Sequence, residues 1–168
     1  MRIIDRKFRP HIGRYILQCL LATVATMAIL ALMDAVEHTA LIAALGASAF
    51  IAFTMPGTHV SEPRYLVGGY IVGIAVGVAF GLTFRWLALP EAGMSRKLAQ
   101  VILGGLAVGL SIFVMVVINT EHPPAAGVAL GLVVHETWSP VTIVVILVAI
   151  AALCLAKRLL RRFLIDLL

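Results

Sequence analysis

Four long apolar runs and two short ones make up most of this chain, and polar knots separate them. Tyr15–Met33, Tyr65–Phe84, Leu98–Ile118 and Pro140–Ala156 reach across, or nearly across, a hydrocarbon layer about 30 Å thick at a helical rise of ~1.5 Å per residue. Ala40–Met55 and Ala125–Val134 are as apolar but shorter. The apolar residues come in blocks rather than in an amphipathic rhythm, so the pattern predicts helices immersed in lipid. The connectors are short, which leaves one all-α domain over residues 1–168 and no separate soluble domain. The first run follows a basic segment but is long and lacks a small-x-small cleavage site, so it reads as an uncleaved span.

The knot Asn119-Thr120-Glu121-His122-Pro123-Pro124 lies between Leu98–Ile118 and Ala125–Val134. Ionisable and helix-breaking residues at such a place are costly and mark function by default. Pro123-Pro124 cannot continue the preceding helix but suit the first turn of the next. A short helix starting there would aim the N–H groups of Ala125, Ala126 and Gly127 at the knot, a setting that favours an anion. The competing reading is a surface loop with ordinary caps. A second polar region runs from Gly46-Ala47-Ser48-Ala49 to Ser61-Glu62-Pro63-Arg64. Arg64 suits an anion or a pairing with Glu62 or Glu121; a solvated, snorkelling arginine is the alternative.

Gly69, Gly73, Gly77 and Gly81 recur at four-residue spacing, which gives one helix face a smooth groove for close packing. Gly105 and Gly109 repeat the spacing and offer a facing surface. Gln18 and Ser111 lie inside spans and are placed to bond across helices. Trp86 and Trp138 stand at span ends, as interfacial anchors do. The order long, short, long occurs twice, over residues 15–87 and 98–160. This reads either as an internal two-fold repeat or as chance likeness between apolar stretches.

Composition supports the membrane reading. The 168 residues are 62% hydrophobic and 12% charged, with mean hydropathy +1.08; soluble domains carry about twice that charged fraction. The net charge of +5 does not point to nucleic acid, because all but one of the 13 Lys and Arg residues fall in three clusters beside apolar runs. The clusters are Arg2 to Arg14, Arg85 to Lys97 and Lys157 to Arg162. The positive-inside bias favours four full spans with both termini cytoplasmic and the two short helices re-entrant or partly buried among the spans. Six crossings are the alternative. Cys19 and Cys154 lie inside apolar runs as free thiols. His59, His122 and His135 with Glu62, Glu121 and Glu136 lack metal-ligand spacing, and no serine sits in a nucleophile elbow. No enzyme, cofactor or metal is expected.

Glu121-His122-Pro123-Pro124-Ala125-Ala126-Gly127-Val128-Ala129-Leu130 resembles the signature of the HPP family of integral membrane proteins. So do Leu45-Gly46-Ala47-Ser48-Ala49, Pro56, Glu62-Pro63-Arg64 and Gly68-Gly69, in that order. Family members have Gln and His where this chain has Glu62 and Tyr70. The resemblance implies a small polytopic protein with four spans, associated in plants and cyanobacteria with nitrite transport. The resulting expectation is a transporter or channel for a small anion, nitrite first, in the plasma membrane as a homo-oligomer. The expected site is Asn119, Glu121, His122, Pro123, Pro124, Ala125 and Gly127, facing Gly46, Ser48, Glu62 and Arg64. His122 would donate to the anion or carry a coupled proton. A non-transporting membrane scaffold packed through glycine faces is the rival.

Overall fold

The structure, a computed structural model, describes residues 8–32, 39–90, 93–135 and 138–167. Asp34, Glu37, His38 and Glu136 lie outside the described residues. The described residues form helices α1 (Phe8–Leu32), α2 (Thr39–Thr54), α3 (Pro63–Trp86), α4 (Met94–Val117), α5 (Pro123–Val134) and α6 (Pro140–Leu160), with 3-10 turns at His59–Ser61 and Arg161–Phe163. No strand occurs among them. Among the described residues three helical stretches are long and apolar enough to cross a membrane: Pro63–Trp86, Met94–Val117 and Pro140–Phe163.

The element boundaries follow from local chemistry. Proline opens α3, α5 and α6, in a first turn where an N–H has no intrahelical partner to lose. At α6 a capping box adds to this: Thr142 N–H donates to Ser139 Oγ at 3.4 Å, and Ser139 N–H donates to Thr142 Oγ1 at 3.2 Å. The end of α4 is closed by Asn119, which adopts the left-handed region at φ 56°. Thr120 N–H reaches back to Met115 O at 2.9 Å and Asn119 N–H to Val116 O at 3.3 Å. These are the two closing bonds of a Schellman terminus, and asparagine tolerates its left-handed position better than most residues.

Packing is organised around α5, which lies against α2, α3 and α4 and is mostly buried. Its sequence is apolar all round because its surroundings are. The glycine stripe of α3 receives it. A methyl group on Gly73 would collide with Ala125 O, and one on Gly77 would lie 2.8 Å from Ala129 Cα. A methyl group on Gly81 would lie 2.7 Å from Leu132 O. The two helices therefore run in the same direction, backbone to backbone. The facing surface expected of Gly105 and Gly109 is not used: both face open space, and Gly104 instead meets α5 at Leu130 Cδ1. The stripe is already filled by α5, and Gly104 points about 100° away from its neighbour.

This register fixes the path of the chain. α5 begins beside Gly73, ends beside Gly81, and α6 starts nearby, where Arg85 Nη2 donates to Trp138 O at 2.9 Å. α6 then returns to the other end, where Lys157 Nζ donates to Ser61 O at 2.6 Å. α2 starts with Ala40 and Leu41 against Gly131 near the end of α5 and finishes with Phe53 O accepting from Gln18 Nε2 at 2.6 Å. The stretches of chain that carry the two short helices, connectors included, thus pass from one end of the bundle to the other. Neither turns back to the end it came from, as a re-entrant segment does.

Polar side chains fasten the edges. Buried Gln18 also donates to Ile165 O at 2.8 Å, and Leu167 N–H donates to Thr54 O at 2.8 Å, which straps the segment after α6 across α1 and α2. Gln18 does bond across helices, as its position suggested. Ser111 does not: its Oγ donates to Val108 O of its own helix. Trp86 is exposed like an interfacial anchor, but Trp138 is 7% exposed and lies under the Arg85 guanidinium at 4.3 Å.

Candidate functional site

Three polar side chains, two from helices and one from the connector before α5, meet inside the apolar bundle. Ser48 comes from the middle of α2, Tyr70 from α3 just after Gly68-Gly69, and His122 from the connector that caps α5. All three are 0% exposed. Ser48 Oγ lies 2.8 Å from His122 Nε2 and 2.8 Å from Tyr70 OH. On its other side, His122 Nδ1 lies 3.0 Å from Val60 O in the 3-10 turn. The close approach is set by glycine: a methyl group on Gly69 would lie 2.6 Å from His122 Cβ. Any larger residue there would push the imidazole out of the chain.

The partners fix the tautomer. Val60 O can only accept, so Nδ1 carries the hydrogen and donates it. Nε2 of a neutral ring then accepts from Ser48 Oγ–H, and Ser48 Oγ accepts from Tyr70 O–H. His122 has no exposure, and burial disfavours the charged ring. The result is a neutral, satisfied relay from Tyr70 through Ser48 and His122 to a backbone carbonyl.

The remaining predicted residues take other places. Arg64 is exposed, and its Nη2 donates to Ile118 O at 3.3 Å, at the end of α4. It completes the closing turn of that helix rather than reaching the relay. Glu62 is exposed beside it. Asn119 is exposed, with Oδ1 accepting from Tyr65 OH at 3.2 Å. Gly46 points away and lines a separate cavity of about 420 Å³ between α1 and α2, with Gln18, Thr26 and Phe50. Pro123 and Glu121 join His122, Met115 and Ala126 around a cavity of about 220 Å³ between α4 and α5. Glu121 Oε2 is buried without a hydrogen-bond donor.

The expected cradle of three free N–H groups at the start of α5 is reduced by one. Pro123 and Pro124 have none, and Ala125 N–H donates to His122 O at 2.9 Å. Ala126 and Gly127 lie in the first turns of α5, where a methyl group on Gly127 would lie 3.7 Å from Ala44 Cβ. The proline pair that starts the helix lacks the two N–H groups that would otherwise face the knot.

Two participants were not among the expected site residues. Tyr70 was legible only as a departure from a family pattern, yet it is the relay's outer donor. Lys157 stood in a basic cluster, but its Nζ donates to Ser61 O at 2.6 Å and Ser61 Oγ at 2.7 Å, beside the carbonyl that holds His122. Its place as the innermost residue of the cluster, adjoining the apolar part of α6, was the available signal. Among the described residues no group of three His, Cys, Asp or Glu side chains is placed to share a metal ion.

The order Ser48, Gly69, His122-Pro123-Pro124 thus converges in space as well as along the chain. No curated protein and no solved structure is significantly similar to this chain. The family model described as HPP, transmembrane region, matches residues 7–163. That match covers nearly the whole helical bundle, and the chain belongs to the HPP family of integral membrane proteins.

Proposed function

We propose that this protein moves a small inorganic anion across the membrane, with nitrite the leading substrate. The observation that carries the reading is the buried relay of Ser48, Tyr70 and His122 at the crossing of α2, α3 and α5. Three polar side chains with no exposure, among helices otherwise packed by glycine, alanine and aliphatic residues, exceed what helix packing requires. Ser48 Oγ also marks a point where donors converge: Tyr70 O–H points at it, and a protonated Nε2–H would do so too. An anion beside that point, in contact with the Ser48 hydroxyl, would lie within reach of both donors. Nitrite itself comes from the family resemblance.

In this reading all six helices cross the bilayer, which places Arg85, Arg96 and Lys97 on the side opposite both termini. The termini face the cytoplasm of a cell bounded by the plasma membrane in which the protein sits. Substantial helix pairings support a two-fold repeat. Exchanging α1 with α4, α2 with α5 and α3 with α6 turns α1–α2 into α4–α5, α2–α6 into α3–α5, and α1–α6 into α3–α4, and each of these pairs is in contact. Units of three crossings make the repeat an inverted one, a common transporter plan with its site near the middle. The open face of α4 at Gly105 and Gly109 supports association with a second copy.

The test is flux. Purified protein in liposomes should take up nitrite faster than empty liposomes, with nitrate, formate and chloride measured alongside. Uptake of none of the four removes the transport reading and favours a scaffold packed through its exposed glycine face.

A further inference from the structure

Ser48 has more acceptors than it has hydrogens. Its Oγ lies 2.8 Å from His122 Nε2, 2.8 Å from Tyr70 OH and 3.0 Å from Ala44 O. The single hydroxyl hydrogen serves His122 or Ala44, not both. Which one it serves depends on the ring. With Nε2 bare, Ser48 donates to the ring and accepts from Tyr70. With a proton on Nε2, Ser48 accepts from both His122 and Tyr70 and turns its hydrogen to Ala44 O. Nδ1–H stays on Val60 O in both arrangements. Each leaves every polar atom of the relay satisfied, and no heavy atom has to move. A histidine with a purely structural role needs only the first.

We propose that His122 Nε2 is the binding site of a proton that enters and leaves with the anion, and that the Ser48 hydroxyl switches between Nε2 and Ala44 O as it does so. This rests on the transport reading above. The step transfers one proton from hydronium to the Nε2 lone pair: an O–H bond breaks, an N–H bond forms and water is released. It creates an imidazolium of charge +1 in a site with no exposure, which is costly alone. A monovalent anion beside the ring is equally costly alone. Together they form a neutral pair, so each favours binding of the other, and the coupling is reciprocal.

The titratable and charged groups around the ring come from few elements. They are Tyr70 on α3, Glu121 beside it in the chain, His59 on the 3-10 turn with Tyr65 against it, Glu62 and Arg64 at the start of α3, and Lys157 of α6 behind Ser61. α2, α4 and α5 bring none to this region. Of these groups, Tyr70 is the one joined to His122 through Ser48.

The experiment titrates ¹⁵N-histidine-labelled protein in nanodiscs by NMR, with and without sodium nitrite, beside nitrite uptake into proteoliposomes under an imposed pH gradient. The expected result is a neutral Nδ1–H ring without nitrite and a protonation midpoint raised by at least about one pH unit with it. By linkage, a shift of one unit equals about a tenfold total gain in nitrite affinity on going from the neutral to the protonated ring. Acid on the side of entry should speed uptake. Ser48→Ala should abolish the nitrite-induced shift and Ser48→Thr should restore it. If Ser48→Ala fails to fold, Tyr70→Phe, which removes the outer donor, should shrink the shift. A midpoint unmoved by nitrite in protein that still takes up nitrite overturns the proton linkage and leaves transport standing. A shift without uptake upholds the proton-linked site and removes transport. Neither shift nor uptake overturns both.

Discussion

The substitution Gly77→Ala isolates the contact on which the whole arrangement rests. The added methyl carbon would lie 2.8 Å from Ala129 Cα, 3.0 Å from Ala129 O and 3.1 Å from Leu132 Cβ. Two of these are backbone atoms of α5 and the third is bound directly to it, so none can rotate away. Relief requires α3 and α5 to separate by roughly half an ångström or more to regain carbon contacts of ~3.5 Å. Overpacking of this kind costs about 1–3 kcal/mol. The same change at Gly105, which has nothing within 4 Å, is the control. Both variants gain the helix preference of alanine over glycine, about 1 kcal/mol, so their difference reports the steric contribution alone. Thermal unfolding of the purified proteins in one detergent should place Gly77→Ala below Gly105→Ala by about 1–3 kcal/mol. Gly105→Ala should match or exceed the parent protein. Because α5 carries His122, Gly77→Ala should also disturb the His122 ring signals. Equal stability of the two variants would refute the parallel packing of α5 on the α3 glycines.

Other outcomes follow from single contacts. Asn119→Gly should leave stability within ~0.5 kcal/mol, whereas Asn119→Val at φ 56° should cost about 1–3 kcal/mol in the same unfolding assay. Lys157→Met should lower stability by about 1.5–3 kcal/mol, the range for hydrogen bonds from a charged group, and should loosen the turn that holds His122, read as faster hydrogen exchange across His59–Ser61. Single cysteines at Thr58 and Glu136 should label from opposite sides of the membrane, Thr58 from the side of the termini; labelling from one common side would restore four spans.

The apolar pattern was enough to locate every helix, because lipid-depth segments must be both apolar and hydrogen-bonded within themselves. The ends were legible too, since Pro63, Pro123-Pro124 and Pro140 act through local backbone chemistry. Direction was not. Charge counting favoured re-entry of Ala40–Met55 and Ala125–Val134, but close glycine packing lets a short helix cross the bundle in company with a long one. For the site, His122 and Ser48 stood out as polar residues in costly places. Their meeting with Tyr70 depends on which face of α3 carries Tyr70 relative to the glycine stripe, which spacing alone does not settle against α2. Arg64 misled because an isolated cation reads as an anion site from sequence, while a helix end offers it carbonyls just as readily.

The central claim is that the relay of Ser48, Tyr70 and His122 lies on the path of a transported anion. Initial nitrite uptake into proteoliposomes, compared between the parent protein and His122→Gln reconstituted at equal density and verified as folded, tests it most directly. The account predicts uptake well above empty liposomes for the parent and a loss of at least about tenfold for the variant, the loss of one charge-assisted hydrogen bond in a buried site. Equal uptake by both proteins would contradict it.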